Sequence, residues 1–199
     1  MGKPPVGGSL AEIQYDYREM DTIAEVLNQK KVVPYWSYCY TPHPLQSSPG
    51  DWKSVPVDMN KWGEVLANFV KHYRNNYSRH VGYHEIGNEP DGTNFFVGGL
   101  DDYLAMYHQA AYRMKSVDSD AKIGGFGVES KDEWIPPFLD YVVQNNLPLD
   151  FFSFHFYGTN SLKRSTRQDL SEWLEDIRNY FAERPELSTT EFHLNEFNS

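Results

Sequence analysis

Residues 82–91 read Gly-Tyr-His-Glu-Ile-Gly-Asn-Glu-Pro-Asp. A short β-forming stretch runs straight into Asn88-Glu89-Pro90, so a carboxylate stands where a strand ends. The chain closes in a similar way, with Leu194-Asn195-Glu196-Phe197-Asn198-Ser199. The fold follows from what lies between and before these two endings.

Working outward, strand-like and helix-like patterns alternate. Lys31–Tyr40, rich in β-branched and aromatic residues, reads as a strand, as do His80–Gly87, Ala121–Val128, Leu149–Tyr157 and Thr189–Phe197. Helical spacing of apolar residues marks Tyr15–Asn28, Asp58–Tyr77, Leu100–Val117, Trp134–Asn145 and Asp169–Ala182. Asp16, with Glu19 three residues on, suggests a capping box for the first helix. Pro136 and Pro137 fall in a first helical turn, where proline is tolerated. Residues 1–9 and the proline-rich span 41–56 read as loops.

The order is αβαβαβαβαβ. Such alternation implies a parallel sheet with right-handed crossovers. Strands apolar on both faces agree with a sheet covered on both sides. No phosphate-binding glycine fingerprint opens a helix after the first strand, and Gly124-Gly125-Phe126-Gly127 lies inside a strand, which argues against a dinucleotide fold. The expected fold is therefore α/β, of the (β/α)8 TIM-barrel type. A complete barrel takes eight strands and about 250 residues. The chain has 199 residues and shows five strands, so it reads as a consecutive slice of a barrel lacking strands at both ends.

The totals restrict the partners. Eighteen Lys and Arg against twenty-eight Asp and Glu leave a net charge of −10, which repels nucleic acid backbones. No apolar run approaches the length of a membrane span. A lone cysteine, Cys39, allows no internal disulfide and no cysteine-based metal cluster. No signal-peptide pattern opens the chain, although on the slice reading the natural N-terminus lies outside it. Seven histidines show no metal-ligand spacing.

Active sites of barrels are built at the C-terminal ends of the strands, where Glu89 and Glu196 both fall. Strict alternation puts Tyr83, Glu85, Gly87 and Glu89 on one face, and Phe192, Leu194 and Glu196 on one face of the last strand. Paired carboxylates on separate strand ends suit cleavage of a glycosidic bond: one stays protonated to donate to the leaving oxygen, the other is ionised. Glu85 reads as a barrel-interior group held by hydrogen bonds. Trp36 and Tyr38 read as packing residues. Phe95, Phe96 and Trp134 are aromatic candidates for the cleft wall, and Lys131, Lys163 and Arg164 are the cations that a uronic acid would want.

The segments "YDYREMDTIAEVL", "VVPYWSYCYTP", "KWGEVLANFVKHY", "GYHEIGNEPD", "PLDFFSFHFYG" and "NEFNS" together resemble the clan A glycoside hydrolases, most closely family 39, the β-xylosidase and α-L-iduronidase group. The resemblance spans nearly the whole chain. It implies that the five strands are barrel strands 3 to 7. It implies a retaining mechanism without cofactor or metal, with Glu89 as acid/base, Glu196 as nucleophile and a carbohydrate substrate, by default a β-xyloside. It further implies that Asn88 bonds the sugar 2-hydroxyl or the glycosyl intermediate, and that His155 and Tyr157 orient the nucleophile and line the sugar subsite. Two positions depart from the family pattern: Gly87 stands where Trp is common, and Asn195-Glu196-Phe197 where Thr-Glu-Trp is usual. Two other readings are a carbohydrate-binding or inactive barrel remnant, and a metal-dependent barrel isomerase or hydrolase.

Overall fold

The computed structural model describes residues 5–77, 82–129, 132–157 and 170–198. A short antiparallel hairpin comes first, β1 (Val6–Gly8) with β2 (Ile13–Tyr15). The alternating units follow: α1 (Arg18–Lys30), β3 (Tyr35–Tyr38), α2 (Met59–Asn76), β4 (Tyr83–Ile86), α3 (Leu100–Val117), β5 (Lys122–Val128), α4 (Ile135–Gln144), β6 (Phe151–Tyr157), α5 (Leu170–Ala182) and β7 (Glu191–Asn198). β3 to β7 form one parallel sheet in chain order. This is the five-stranded part of a (β/α) barrel.

The N-terminal region departs from expectation in two places. Residues 6–8 are a strand rather than loop, because Val6 buries itself in the core and strands of three residues are too short to show alternation. The helix starts one residue later than expected, with Tyr17 at its cap position, and Asp16 serves it from just outside: its carboxylate accepts from the backbone N–H of Arg18 at 3.3 Å and from Arg18 Nε at 2.7 Å. At the other end, Lys31 adopts a left-handed conformation (φ 56°) and its N–H closes the last turn. Pro34 then delays the strand, which is confined to Tyr35–Tyr38. By contrast α2 begins as expected, with the Asp58 carboxylate accepting from the N–H of Lys61 at 3.0 Å.

Two apolar layers hold the sheet. Outside, the helices pack on Ile86, Phe126, Phe152 and Phe154, and Phe138 of α4 meets Phe126 and Tyr107 with ring centroids 4.9 Å apart in both cases. Trp36 and Tyr38 belong to this layer, against Tyr73 and Phe69 of α2. Inside, Tyr35, Tyr83, Phe151 and His193 stack as one ring layer across β3, β4, β6 and β7, with Phe151 and His193 4.7 Å apart. β5 meets this layer with Gly124, where a Cβ would lie 2.1 Å from the Phe151 carbonyl oxygen. The two outer edges, β3 and β7, keep Tyr35, Phe192 and Phe197 exposed.

Phe126 is completely buried between sheet and helices. Truncation to Ala is expected to destabilise the fold by about 3 to 5 kcal/mol, read as a lowered denaturation midpoint in urea. A loss below about 1 kcal/mol would contradict this account of the core.

Candidate active site

β4 ends at Ile86, whose carbonyl accepts from the buried Tyr103 hydroxyl at 2.6 Å. The chain then turns sharply. Gly87 has φ 92°, and a Cβ there would sit 3.0 Å from the Tyr103 ring. A left-handed backbone pressed on an aromatic ring selects glycine. Glu89 itself has φ 43°. A non-glycine residue in this region is strained by about 1 to 3 kcal/mol, and the bond from its N–H to the Gly127 carbonyl, 3.1 Å, holds it there. The turn leaves the Glu89 side chain buried at the end of the sheet.

β7 does not follow strict alternation. Phe192 faces outward against Phe181 of α5, and Leu194 packs on the outer core. His193 and Asn195 face the interior: His193 joins the ring layer, and Asn195 Nδ2 donates to Glu85 Oε1 at 2.8 Å. Alternation would then send Glu196 outward. A register shift prevents this. Phe154 pairs with Leu194, but His155 pairs with Glu196, so Asn195 is one extra residue in β7. The bulge turns Glu196 to the same side as His155. The expectation that Phe192, Leu194 and Glu196 share a face is thereby corrected.

These devices bring four of the expected residues together. His155 Nδ1 lies 2.7 Å from Glu89 Oε1 and 3.7 Å from Glu196 Oε2. Tyr157 donates its hydroxyl to Glu196 Oε2 at 2.6 Å. One oxygen each of Glu89 and Glu196, and the imidazole nitrogen, all lie within 4.8 Å of one another. The His155 ring is fully buried, and its Nε2 has no partner among the described residues. Its short bond is thus to Glu89, while Tyr157 holds Glu196. Asn88 is half-buried and lines a neighbouring cleft with Tyr40, Trp52, Phe95 and Pro90.

Electrostatics favour a charged imidazole. Burial alone pulls the His155 pKa down, but the hydrogen bond to Glu89 and the charges of Glu196, Glu89 and Glu85 outweigh it and raise it above the ordinary value. Burial, and then the bond to Glu196, push the Tyr157 hydroxyl well up, so it stays a donor. His84, His72 and His108 are engaged away from this cluster. Burial and then Lys115 lower His84 to about 3, which keeps it neutral beside the Tyr38 hydroxyl. His72 pairs with Asp21 and His108 with Tyr141.

Of the aromatic candidates, Phe96 and Trp134 are buried in the core, and Phe95 stacks on Tyr40. Lys131, Lys163 and Arg164 lie outside the described residues. Residues that sequence reasoning passed over are Asn195 as the bulge, and Tyr40 and Trp52, which sit in or beside a span read only as loop. No helix among the described residues is long and apolar enough to cross a membrane.

Two predictions follow from this geometry. Glu85 is buried, so Asn195→Ala strips an amide donor from a buried carboxylate and is expected to cost about 1 to 3 kcal/mol, measured by chemical denaturation; an unchanged midpoint would contradict the role given to this bond. His155 binds its proton more tightly folded than unfolded. The stability this contributes is complete below the unfolded pKa of about 6.5 and is lost as pH rises through the higher folded value. His155→Asn should flatten that fall in stability above the unfolded value, and an identical pH profile in the variant would contradict it.

Comparison with known proteins agrees with the fold. The chain is 28% identical over 186 residues to a β-xylosidase of Caldicellulosiruptor saccharolyticus, covering 86% of this chain and 37% of that protein. It is 26% identical to a β-xylosidase of Geobacillus stearothermophilus, covering 93% and 41%. It therefore spans well under half the length of these relatives. Among solved structures, a family 39 enzyme of Xanthomonas axonopodis pv. citri superposes with a TM-score of 0.81 at 24% identity, over 98% of this chain and 42% of the other. A family 39 β-xylosidase of Caulobacter crescentus superposes with a TM-score of 0.78 at 22% identity, over 98% and 43%. The family model for glycosyl hydrolases family 39 matches residues 8–199, and the chain belongs to that family.

Proposed function

We propose that these residues make up part of the catalytic barrel of a retaining O-glycoside hydrolase, with β3 to β7 serving as barrel strands 3 to 7. The observation that carries this reading is the approach of Glu89, just after β4, and Glu196, on β7, with oxygens within 4.8 Å. Retaining enzymes hold their carboxyl groups about 5 to 5.5 Å apart, whereas inverting ones leave about 6.5 to 9.5 Å for a water. The close approach supports attack by a carboxylate rather than by water.

In the proposed reaction Glu89 is the general acid. His155 Nδ1 holds one of its oxygens at 2.7 Å; transfer of the shared proton from the imidazolium leaves a neutral imidazole and a carboxylic acid, whose proton goes to the leaving oxygen. Glu196, held by Tyr157, attacks the anomeric carbon, and the bond to the leaving group breaks as the glycosyl ester forms. Water then enters, loses a proton to Glu89 and releases the sugar. Asn88 is the proposed partner of the sugar 2-hydroxyl. The curated β-xylosidase relatives support a β-xyloside as substrate. No cofactor takes part.

The same three groups, Glu89, His155 and Glu196, are near enough to share a metal ion, so a chelator belongs in the test. The complete protein is assayed on a panel of aryl glycosides, with and without chelator. Glu196→Ala is expected to abolish turnover. Glu89→Ala should lose about 10² to 10⁴-fold on poor leaving groups and much less on nitrophenolates. Equal, mild losses in both variants would overturn the assignment. Loss of activity on chelation would favour a metal enzyme. Sugar binding without turnover would favour a binding remnant.

A further inference from the structure

Three aromatic side chains that the proposed reaction does not use meet beside the Asn88-Glu89-Pro90 turn. Tyr40 leaves the end of β3, and the loop returns so that the N–H of Thr41 bonds the Trp52 carbonyl at 3.0 Å. After β4, the N–H of Gly92 bonds the Glu89 carbonyl at 2.9 Å, and the N–H of Phe95 bonds Gly92 at 3.0 Å. These two tight turns bring Phe95 back against Tyr40. The Tyr40 and Phe95 rings are near parallel at 9° with centroids 5.9 Å apart, and Trp52 meets Tyr40 at 4.5 Å. Lys53 Nζ sits 5.1 Å from the Trp52 ring centroid, and the N–H of Val97 ties the Lys53 carbonyl to the β4 loop.

Loop packing alone would favour burying these rings. Phe96 and Trp134, on the loops after β4 and β5, are 6% and 7% exposed. Tyr40 and Trp52 instead keep 37% and 40% of their surface open, next to the cleft they share with Asn88 and Pro90. Burial raises the Tyr40 hydroxyl pKa, and so do the nearby charges of Cys39, Glu89 and Glu196, which places this ring within the field of both carboxylates.

The side of the reaction follows from the direction of attack. In a displacement the nucleophile and the leaving group occupy opposite faces of the reacting carbon. Glu196 and Tyr157 stand on β7 and β6, and Glu89 stands on the loop after β4, whose continuation carries Phe95. A pyranose ring presents an apolar C–H face that matches an open aromatic face, and aromatic walls with few polar groups are the usual lining of such sites. Resting on the hydrolase reading above, we propose that Tyr40, Trp52 and Phe95 form a leaving-group subsite that stacks the departing sugar unit of a xylo-oligosaccharide.

The test compares the complete enzyme with its Trp52→Leu and Trp52→Phe variants on xylobiose and on xylosyl fluoride, whose leaving group has no ring to stack. One lost aromatic stack is expected to lower kcat/KM for xylobiose about tenfold in Trp52→Leu and to leave the fluoride unchanged. Trp52→Phe, which keeps an aromatic face, should stay near the parent on both. Equal losses on both substrates, or no loss on xylobiose, would overturn the subsite. Turnover of neither substrate by the parent is a failure of the hydrolase reading instead. The subsite is then judged by tryptophan fluorescence during a xylotriose titration. A change present in the parent and absent in Trp52→Leu supports it, and no change in the parent overturns it.

Discussion

One buried imidazole imposes the geometry of this site. His155 lies between two acidic side chains, and two single-residue irregularities make that position possible. On one side of β6, Gly127 interrupts the pairing with β5, where Phe126 pairs with Ser153 and Val128 with Phe154. On the other side, Asn195 interrupts the pairing with β7. The first slip falls between Ser153 and Phe154, the second between Phe154 and His155. At Gly127 the slip supplies the carbonyl that anchors the Glu89 N–H and leaves room for the ring, since a Cβ would lie 3.2 Å from Nε2. At Asn195 it rotates Glu196 inward. A regular sheet with the same residues would keep His155 and lose one of its carboxylates.

The charges explain why such an arrangement holds together. A buried imidazolium alone, or a buried carboxylate alone, would be driven towards its neutral form by desolvation. Placed together they offset that cost, and Glu85 adds a further negative charge that raises His155. Glu85 is itself held through Asn195, the residue that makes the bulge. One amide thus links the shape of β7 to the charge balance of the site: the side chain that satisfies the third carboxylate belongs to the extra residue that aims the second.

Much of this was legible in the sequence, for identifiable reasons. α2 and α3 were readable because long amphipathic stripes repeat many times over eighteen residues, and the Asp58 cap is a local signal. The parallel sheet was readable because strands buried on both faces are dominated by apolar residues, as in β6, where Phe151, Phe152, Phe154 and Phe156 outnumber the polar positions. Glu89 and Glu196 were readable as candidates because they stand at strand ends, whereas His155 and Tyr157 entered only through the family resemblance. The β1–β2 hairpin was not, since its strands are held by tertiary burial of Val6 rather than by pattern. Nor was the facing of Glu196. A period-two argument assumes unbroken pairing, and a bulge is a property of two strands together, so the Glu85–Asn195 bond that accompanies it is invisible along either one.

The same reasoning explains why the interior needs support from distant strands. Tyr35, Tyr83, Phe151 and His193 form a continuous ring layer below the carboxylates, and Lys122, Tyr83 and His193 converge on Glu191 at its lower end. Aromatic pairs contribute about 0.5 to 1.5 kcal/mol each beyond their buried area, and here they resist sliding of β7 against β4 and β6. A shift of β7 by one residue would reverse the facing of His193 and Asn195 together, breaking the ring layer and the bond to Glu85 at once. The facing of Glu196 is therefore secured from below by packing and at its own level by one hydrogen bond, while Tyr157 sets only the final orientation of its carboxylate.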